Sequence, residues 1–185
     1  MDRERIVLKA EADLQSDVVG AVGHPNAGVD RGAVASVPGH RAQAGLAVLQ
    51  KHELTDPKQV AAIGYCFGGT TVIELARSGA DIAGVVSFHG GLDSLHPEDA
   101  RNIKCKLLVL HGADDPFVPA KDLAAFEDEM RQAKVDWQLV KYGGAVHSFT
   151  DWNAGDNPGQ GAAYNERADR RSWEAMKQFF AELFK

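Results

Sequence analysis

Short apolar runs alternate along the chain with stretches in which apolar residues recur every three to four positions. Continuous apolar runs of about four to eight residues are typical of parallel strands that are covered on both faces. Apolar residues at a period of about 3.6 indicate helices with one buried face. Strands are predicted at residues 60–64, 82–88 and 106–110, with a more alternating strand, nearer a sheet edge, at residues 135–142. Helices are predicted at residues 39–52, 67–78, 120–133 and 166–184.

Strands that alternate with helices predict an α/β fold with a mostly parallel sheet flanked by helices. The pattern is weaker at residues 1–37, where strand-like runs at 6–8 and 18–22 are followed by glycine and proline turns. Residues 143–165 are rich in Gly, Asn, Asp and Pro. Because this stretch is long for a connection in a compact domain, we expect a loop that is either functional or mobile.

Composition narrows the class of protein. A chain of 185 residues with 44% hydrophobic content is expected to form one globular domain. Its net charge of -6 and the lack of a dense basic run argue against nucleic-acid binding, while a small neutral or anionic ligand stays compatible. The charged start and the absence of a long apolar window predict no signal peptide and no membrane span, hence a cytoplasmic protein. A reducing compartment disfavours a disulfide between Cys66 and Cys105.

The most informative motif is Gly-Tyr-Cys-Phe-Gly-Gly at residues 64–69, which follows a predicted strand and opens a predicted helix. Such a turn lifts its central residue, here Cys66, above the sheet and places it at a helix N-terminus, where a thiolate is favoured. The backbone N–H of Phe67 would then face an oxyanion on a substrate. A dinucleotide-binding loop and a phosphate loop fit this run poorly, because the glycine spacing differs and lysine is missing. An ordinary glycine turn with an inert cysteine is the structural alternative.

Two further residue types complete a candidate triad. Asp114 and Asp115 follow the predicted strand at 106–110, where catalytic groups of open α/β sheets gather, although either could be a turn or capping residue. His147 lies 81 positions after Cys66 in the loop that follows the next strand. A lone loop histidine is often only a solvated residue, but the order nucleophile, acid, histidine is that of α/β-hydrolases.

From about Pro38 to Phe184 the chain resembles the dienelactone hydrolase family, a branch of the α/β-hydrolases with a Cys-Asp-His triad. The matching segments are residues 64–69 (GYCFGG), 87–91 (SFHGG), 112–119 (GADDPFVP) and 147–149 (HSF). In the family the acid is followed by a hydrophobic residue two positions later and then by Val-Pro, which implies Asp115 rather than Asp114. The resemblance implies a hydrolase of small ester or lactone substrates with Cys66 as nucleophile, His147 as base and Asp115 as orienting acid. It implies no metal or organic cofactor.

The resemblance also gives expectations for the rest of the chain. His89 and His111 follow strand ends and Trp152 lies in the long loop, so these side chains are expected near the pocket, with packing or capping as the alternative. Phe67, His89 and Trp152 are the candidate oxyanion or substrate-binding residues. One domain over residues 1–185 is expected, in which 1–37 form an atypical segment and 38–185 match the family.

The chain departs from the family pattern in two places. Family members bring more strands before the nucleophile, so the amino-terminal sheet is predicted to be short or rearranged, and residues 18–28 either supply a second oxyanion donor or form a plain loop. No arginine follows His147 closely, which favours a broader carboxylesterase or lactonase over dienelactone itself. Two alternatives to an active hydrolase stay open. One is a truncated, weak or inactive domain that forms homo-oligomers through an exposed sheet edge, and the other is a redox-sensing thiol at Cys66.

Overall fold

The computed structural model describes the backbone of residues 6–10 and 31–40 and the complete residues 41–185. Its centre is a parallel sheet whose strand order is the order of the chain, so every connection between neighbours is a crossover. The strands are β1 (Ile6–Ala10), β2 (Val60–Tyr65), β3 (Gly84–Phe88), β4 (Lys106–Gly112) and β5 (Trp137–Tyr142). The helices are α1 (Arg31–Gln50), α2 (Phe67–Arg77), α3 (Ala120–Ala133) and α4 (Glu166–Leu183).

The two faces of the sheet bury separate apolar clusters, as the strand period of two requires. On one face, Leu107 and Val109 of β4 pack in a cluster with buried residues of α1, α2 and α3, such as Phe126. On the other face, Leu108 and Leu110 pack in a cluster with residues of α4. Helices on both faces explain why the central strands are continuously apolar in sequence.

The α/β architecture with a parallel, helix-flanked sheet is as predicted, and β5 lies at the sheet edge as its alternating sequence indicates. The run at residues 6–8 is part of β1, which pairs in parallel with β2. The second run, at residues 18–22, and the candidate donor turn after it lie outside the described residues. Helix α1 begins at Arg31 rather than at residue 39. The sequence before residue 39 was interpreted as glycine and proline turns with little periodicity, but the helix begins there and continues through Pro38.

The topology brings the candidate functional residues to one end of the sheet. Cys66 follows β2, His89 follows β3, Asp115 follows β4 by three residues, and His147 follows β5. In a parallel sheet all of these points lie at the same, carboxyl edge. The loop at residues 143–165 contains two short 3-10 turns, Trp152–Ala154 and Pro158–Gln160. Within the described part of the chain, no helix is long and apolar enough to cross a membrane.

Candidate active site

Cys66 occupies a sharp turn between β2 and α2, with a φ of 52° that non-glycine residues rarely adopt. Its backbone N–H donates to the carbonyl oxygen of Phe88 at 3.0 Å, which anchors the turn to β3. The turn is tight enough that a Cβ at Gly64 would lie 1.9 Å from the carbonyl oxygen of Gly68. Glycine at position 64 is therefore required for the strand and the helix to approach this closely.

A chain of hydrogen bonds joins Cys66 to an acid through His147. The Nε2 atom of His147 lies 3.2 Å from Sγ of Cys66, and its Nδ1 atom lies 2.8 Å from Oδ2 of Asp115. The other carboxylate oxygen of Asp115 accepts from the N–H of Phe117 at 2.8 Å, and the Asp115 side chain is fully buried. Asp114 has a different partner, since its carboxylate accepts from the N–H of Gly144. The structure thus places Asp115 against the histidine and uses Asp114 to join two loops.

The surroundings of Cys66 and His147 favour their charged forms. Burial raises the pKa of the Cys66 thiol, but the hydrogen bond and charge of His147 and the N–H of Phe67 outweigh it, so the pKa lies below its usual value. Burial lowers the pKa of His147, but hydrogen bonds with Asp115 and Cys66 raise it to about 9. A thiolate beside an imidazolium is the arrangement in which a cysteine can attack an electrophile near neutral pH.

His89 was predicted to lie near the pocket, and the structure places it directly beside the backbone of Cys66. It is 3% exposed, and its Nδ1 atom lies 3.2 Å from the backbone nitrogen of Cys66. Its Nε2 atom lies 2.8 Å from Oγ1 of Thr150. Burial, and then the charge of His147, lower the pKa of His89 to about 3, which keeps its ring neutral. The sequence signal for Thr150 was weak, since a threonine three positions after His147 has no distinctive pattern.

The remaining predicted residues have different surroundings. Phe67 opens α2, and its N–H points at the Cys66 sulfur. Trp152 is 77% exposed and its indole nitrogen lies 3.4 Å from a carboxylate oxygen of Asp169. His111 is 1% exposed inside β4, away from the groove described below, and neither ring nitrogen has a hydrogen-bond partner among the described residues. Burial lowers the pKa of His111, which favours the neutral ring, and the side chain packs inside the sheet rather than lining the groove.

An open groove of about 1480 Å³ runs from Cys66 and His89 along α4 as far as Gln178. Its lining includes three arginines of α4, Arg167, Arg170 and Arg171, of which Arg170 also lies 3.7 Å from Glu166. These arginines could not be assigned to the site from sequence, because they lie 20 or more positions beyond His147. Among the residues the structure describes, no group of three or more His, Cys, Asp or Glu side chains is arranged to hold a metal ion.

Comparison with known proteins identifies relatives of similar fold and sequence. The profile of the dienelactone hydrolase family matches residues 30–184. An uncharacterised protein of Caenorhabditis elegans is 34% identical over 151 residues, which cover 78% of this chain and 92% of that protein. A putative carboxymethylenebutenolidase of Synechocystis is 28% identical over 146 residues, covering 75% of this chain and 56% of the relative.

Two solved structures resemble the chain more closely in sequence. One is a dienelactone hydrolase-like promiscuous phosphotriesterase from metagenomic libraries, with 47% identity and a TM-score of 0.75, covering 84% of this chain and 64% of that one. The other, named m3DLH, has 44% identity and a TM-score of 0.77, covering 83% and 64%. The chain thus spans nearly the whole nematode protein but less than two thirds of these structures. With a family match over most of its length, the chain belongs to the dienelactone hydrolase family.

Proposed function

We propose that this protein hydrolyses ester or lactone bonds of small molecules through a Cys66 thiolate. The observation that carries the proposal is the hydrogen-bonded chain from Sγ of Cys66 through His147 to Asp115, with separations of 3.2 Å and 2.8 Å. Each member has the surroundings its role needs, since the nucleophile sits at a helix N-terminus and the acid is buried with both oxygens engaged. The family membership supports the same class of reaction.

In the proposed reaction the thiolate attacks the carbonyl carbon, a C–S bond forms, and the carbonyl electron pair moves to the oxygen. The N–H of Phe67 stabilises this oxyanion. The oxyanion then collapses, and the alkoxide leaves with the proton of the His147 imidazolium, so that a thioester remains. Water attacks the thioester as His147 accepts its proton, and the carboxylic acid departs while the Cys66 thiolate is restored. Asp115 holds the imidazole ring and stabilises its cationic form.

The direct test is turnover of p-nitrophenyl acetate by wild type, Cys66→Ala and Cys105→Ala. Cys105 is the matched control because it is 6% exposed, precedes β4 at the end of the strand opposite to Asp115, and has a pKa that burial raises to about 11. We expect Cys66→Ala to lose turnover and Cys105→Ala to retain it. Equal rates for wild type and Cys66→Ala would refute the proposal.

The role of Asp115 has its own matched control in the neighbouring aspartate. Asp115→Asn removes the charge beside Nδ1 of His147, and loss of a triad carboxylate of this kind lowers kcat by up to about 10⁴-fold. Asp114→Asn keeps an oxygen that can accept from Gly144 and should leave kcat within about threefold of wild type, because its partner is backbone rather than a reacting group. A similar loss in the two variants would contradict the assignment of Asp115.

The 47% identity to the metagenomic phosphotriesterase favours a second candidate activity, hydrolysis of phosphotriesters at the same site. Here the thiolate would attack phosphorus rather than a carbonyl carbon. Diethyl p-nitrophenyl phosphate reports this reaction by release of the same p-nitrophenolate as the ester assay. We expect Cys66→Ala to remove both activities, and turnover that survives in this variant would place the phosphotriester reaction elsewhere.

The proposal also includes a cytoplasmic location and the formation of homo-oligomers. Two alternatives to a hydrolase are an inactive, self-associating domain and a redox-sensing thiol. An inactive, self-associating domain would show no ester turnover and a dimer or larger species on size exclusion. A redox-sensing thiol would react with peroxide at Cys66 almost equally fast in wild type and His147→Ala. The proposed hydrolase requires that His147→Ala slow this reaction, because the imidazolium is what lowers the pKa of the thiol.

A further inference from the structure

A second line of hydrogen bonds leads from the backbone of Cys66 through His89 to Thr150, and its direction follows from chemistry. The backbone N–H of Cys66 is shared between the carbonyl oxygen of Phe88 at 3.0 Å and Nδ1 of His89 at 3.2 Å. Because this N–H can only donate, Nδ1 of His89 must present its lone pair rather than a second hydrogen. In a neutral imidazole the hydrogen is then on Nε2. That hydrogen points to Oγ1 of Thr150 at 2.8 Å, which therefore acts as the acceptor.

This arrangement leaves the hydroxyl hydrogen of Thr150 available as a donor. Within the described residues, His89 is the only hydrogen-bond partner of the Thr150 side chain. Thr150 lines the same groove as Cys66 and His89 and is half-buried. The Thr150 hydroxyl therefore has its hydrogen available to donate into the groove, while His89 already occupies one of its two acceptor lone pairs.

We propose that Thr150 is a substrate-binding residue that donates a hydrogen bond to an oxygen acceptor of the substrate, and that His89 is the positioning residue that fixes the donor direction. The inference rests on the proposed function, since the ligand is the ester or lactone of that reaction. The imidazole ring of His89 lies between the Cys66 N–H and Thr150, so the hydroxyl is separated from the oxyanion position near Phe67. The acceptor is therefore a second oxygen of the substrate, away from the carbonyl under attack, with a carboxylate as the strongest choice.

The residues around His89 and Thr150 restrict the orientation of the Thr150 hydroxyl. All three hydrogen bonds, including the one to substrate, point in the same direction, so each polarises the next in a site with little water around His89. Phe149, beside Thr150, is fully buried and its carbonyl oxygen accepts from the N–H of Asn165 at 3.0 Å. The rings of His89 and Phe149 also pack edge-on with centroids 5.1 Å apart. Thr150 therefore has a fixed backbone from which to bind.

The test compares two p-nitrophenyl esters, the monoester of succinic acid and the butyrate, which lacks the distal carboxylate. Thr150→Val removes the hydroxyl at nearly constant shape, and Thr150→Ser retains it. We expect Thr150→Val to lower kcat/KM for the succinate ester by about ten- to a hundredfold, mainly through KM, and to leave the butyrate ester within about threefold. Thr150→Ser should stay close to wild type on both. Equal losses on the two esters, or no loss on either, would overturn the proposal.

The role of His89 is tested by a substitution that keeps its contact with Cys66 and removes its contact with Thr150. His89→Asn retains an acceptor near the Cys66 N–H and tolerates the φ of 40° found at this position, but it does not extend to Thr150. We expect this variant to keep the rate of Cys66 alkylation by iodoacetamide and to lose the preference for the succinate ester as Thr150→Val does. If His89→Asn keeps the preference for the succinate ester, or if its Cys66 is alkylated more slowly, His89 does not have the proposed role.

A spectroscopic measurement separates this inference from the proposed function. The ¹⁵N chemical shifts of the His89 ring should show a neutral imidazole with hydrogen on Nε2 and a bare Nδ1 from about pH 5 to 9, given a pKa of about 3. Hydrogen on Nδ1 overturns the direction of the chain even if wild type is an active esterase. If wild type turns over neither ester, the proposed function fails, and binding of succinate to wild type but not to Thr150→Val still decides the role of Thr150.

Discussion

A buried ion pair between α2 and α3 gives the sharpest prediction on stability. Arg77 of α2 donates from Nε and Nη2 to the two carboxylate oxygens of Glu129 of α3, at 2.8 and 2.7 Å. The two side chains are 2% and 4% exposed. A third residue, Glu74, pairs with Arg77 from the same helix and is 23% exposed. The pair joins the helix that begins beside Cys66 to the helix that follows the Asp115 loop.

Substitution Glu129→Gln removes one charge of this pair while keeping the volume of the side chain. Removing one partner of a buried pair costs about 3 to 5 kcal/mol, because the other charge is left in a poorly solvating interior. Glu74 still compensates part of the Arg77 charge, so we expect the lower end, about 3 kcal/mol, in the free energy of unfolding. Replacing both Arg77 and Glu129 with Met should cost less than Glu129→Gln alone, since no buried charge then lacks its partner.

Urea denaturation followed by circular dichroism measures these differences as shifts of the midpoint at constant slope. The matched control is Arg131→Gln on the same helix α3, where Arg131 is 56% exposed and pairs with Glu127 and Asp128. Exposed pairs of this kind contribute at most about 1 kcal/mol. The reasoning is refuted if Glu129→Gln costs no more than Arg131→Gln, or if the double substitution is as costly as the single one.

Three further predictions concern the turn before α2, the nucleophile and the base. Gly64→Ala should destabilise the fold by about 3 kcal/mol, because its Cβ meets backbone, whereas Gly143→Ala, which meets nothing within 4 Å, should change stability little; urea midpoints compare them. Iodoacetamide at pH 7 should label Cys66 and leave Cys105 unmodified, as read by mass spectrometry, since their pKa values shift in opposite directions. The kcat/KM for an alkyl ester should fall as pH rises through about 9, where His147 of the free enzyme loses the proton that it gives to the leaving alkoxide, and a kcat/KM unchanged at higher pH would contradict this.

Sequence patterns predicted the existence of the strands and helices more accurately than the residues at which they begin and end. The strands β2 to β5 and the helices α2 to α4 follow from hydrophobic period and turn residues, because burial on both faces of a sheet leaves a strong signal in the chain. The predicted start of α1 was wrong by eight residues, since the segment before residue 39 has little hydrophobic periodicity and yet belongs to the helix. Element existence depends on many residues, whereas an end depends on one or two.

Contacts between distant polar residues were the part that sequence could not supply. Arg77 and Glu129 lie 52 positions apart, and nothing in either local pattern marks them as partners. The same holds for His89 and Thr150, 61 positions apart, and for the arginines of α4 that line the groove. Cys66 and His147 could be proposed because the glycine-flanked turn and the order of nucleophile, acid and histidine along the chain are visible in the sequence. Residues defined only by packing in three dimensions have no such signal.

Four non-glycine residues in the described part of the chain have a positive φ, and three of them, Cys66, His89 and Ser148, lie at the carboxyl end of the sheet. The fourth, Lys134, ends a helix, a place where this conformation is common. Each such backbone costs on the order of 1 to 3 kcal/mol unless the residue is glycine or asparagine. A chain selected for stability alone would place glycine at the three sites. Backbone strain at three non-glycine residues therefore points, independently of any reaction, to the carboxyl end of the sheet as the place where we expect side chains to serve function at a cost in stability.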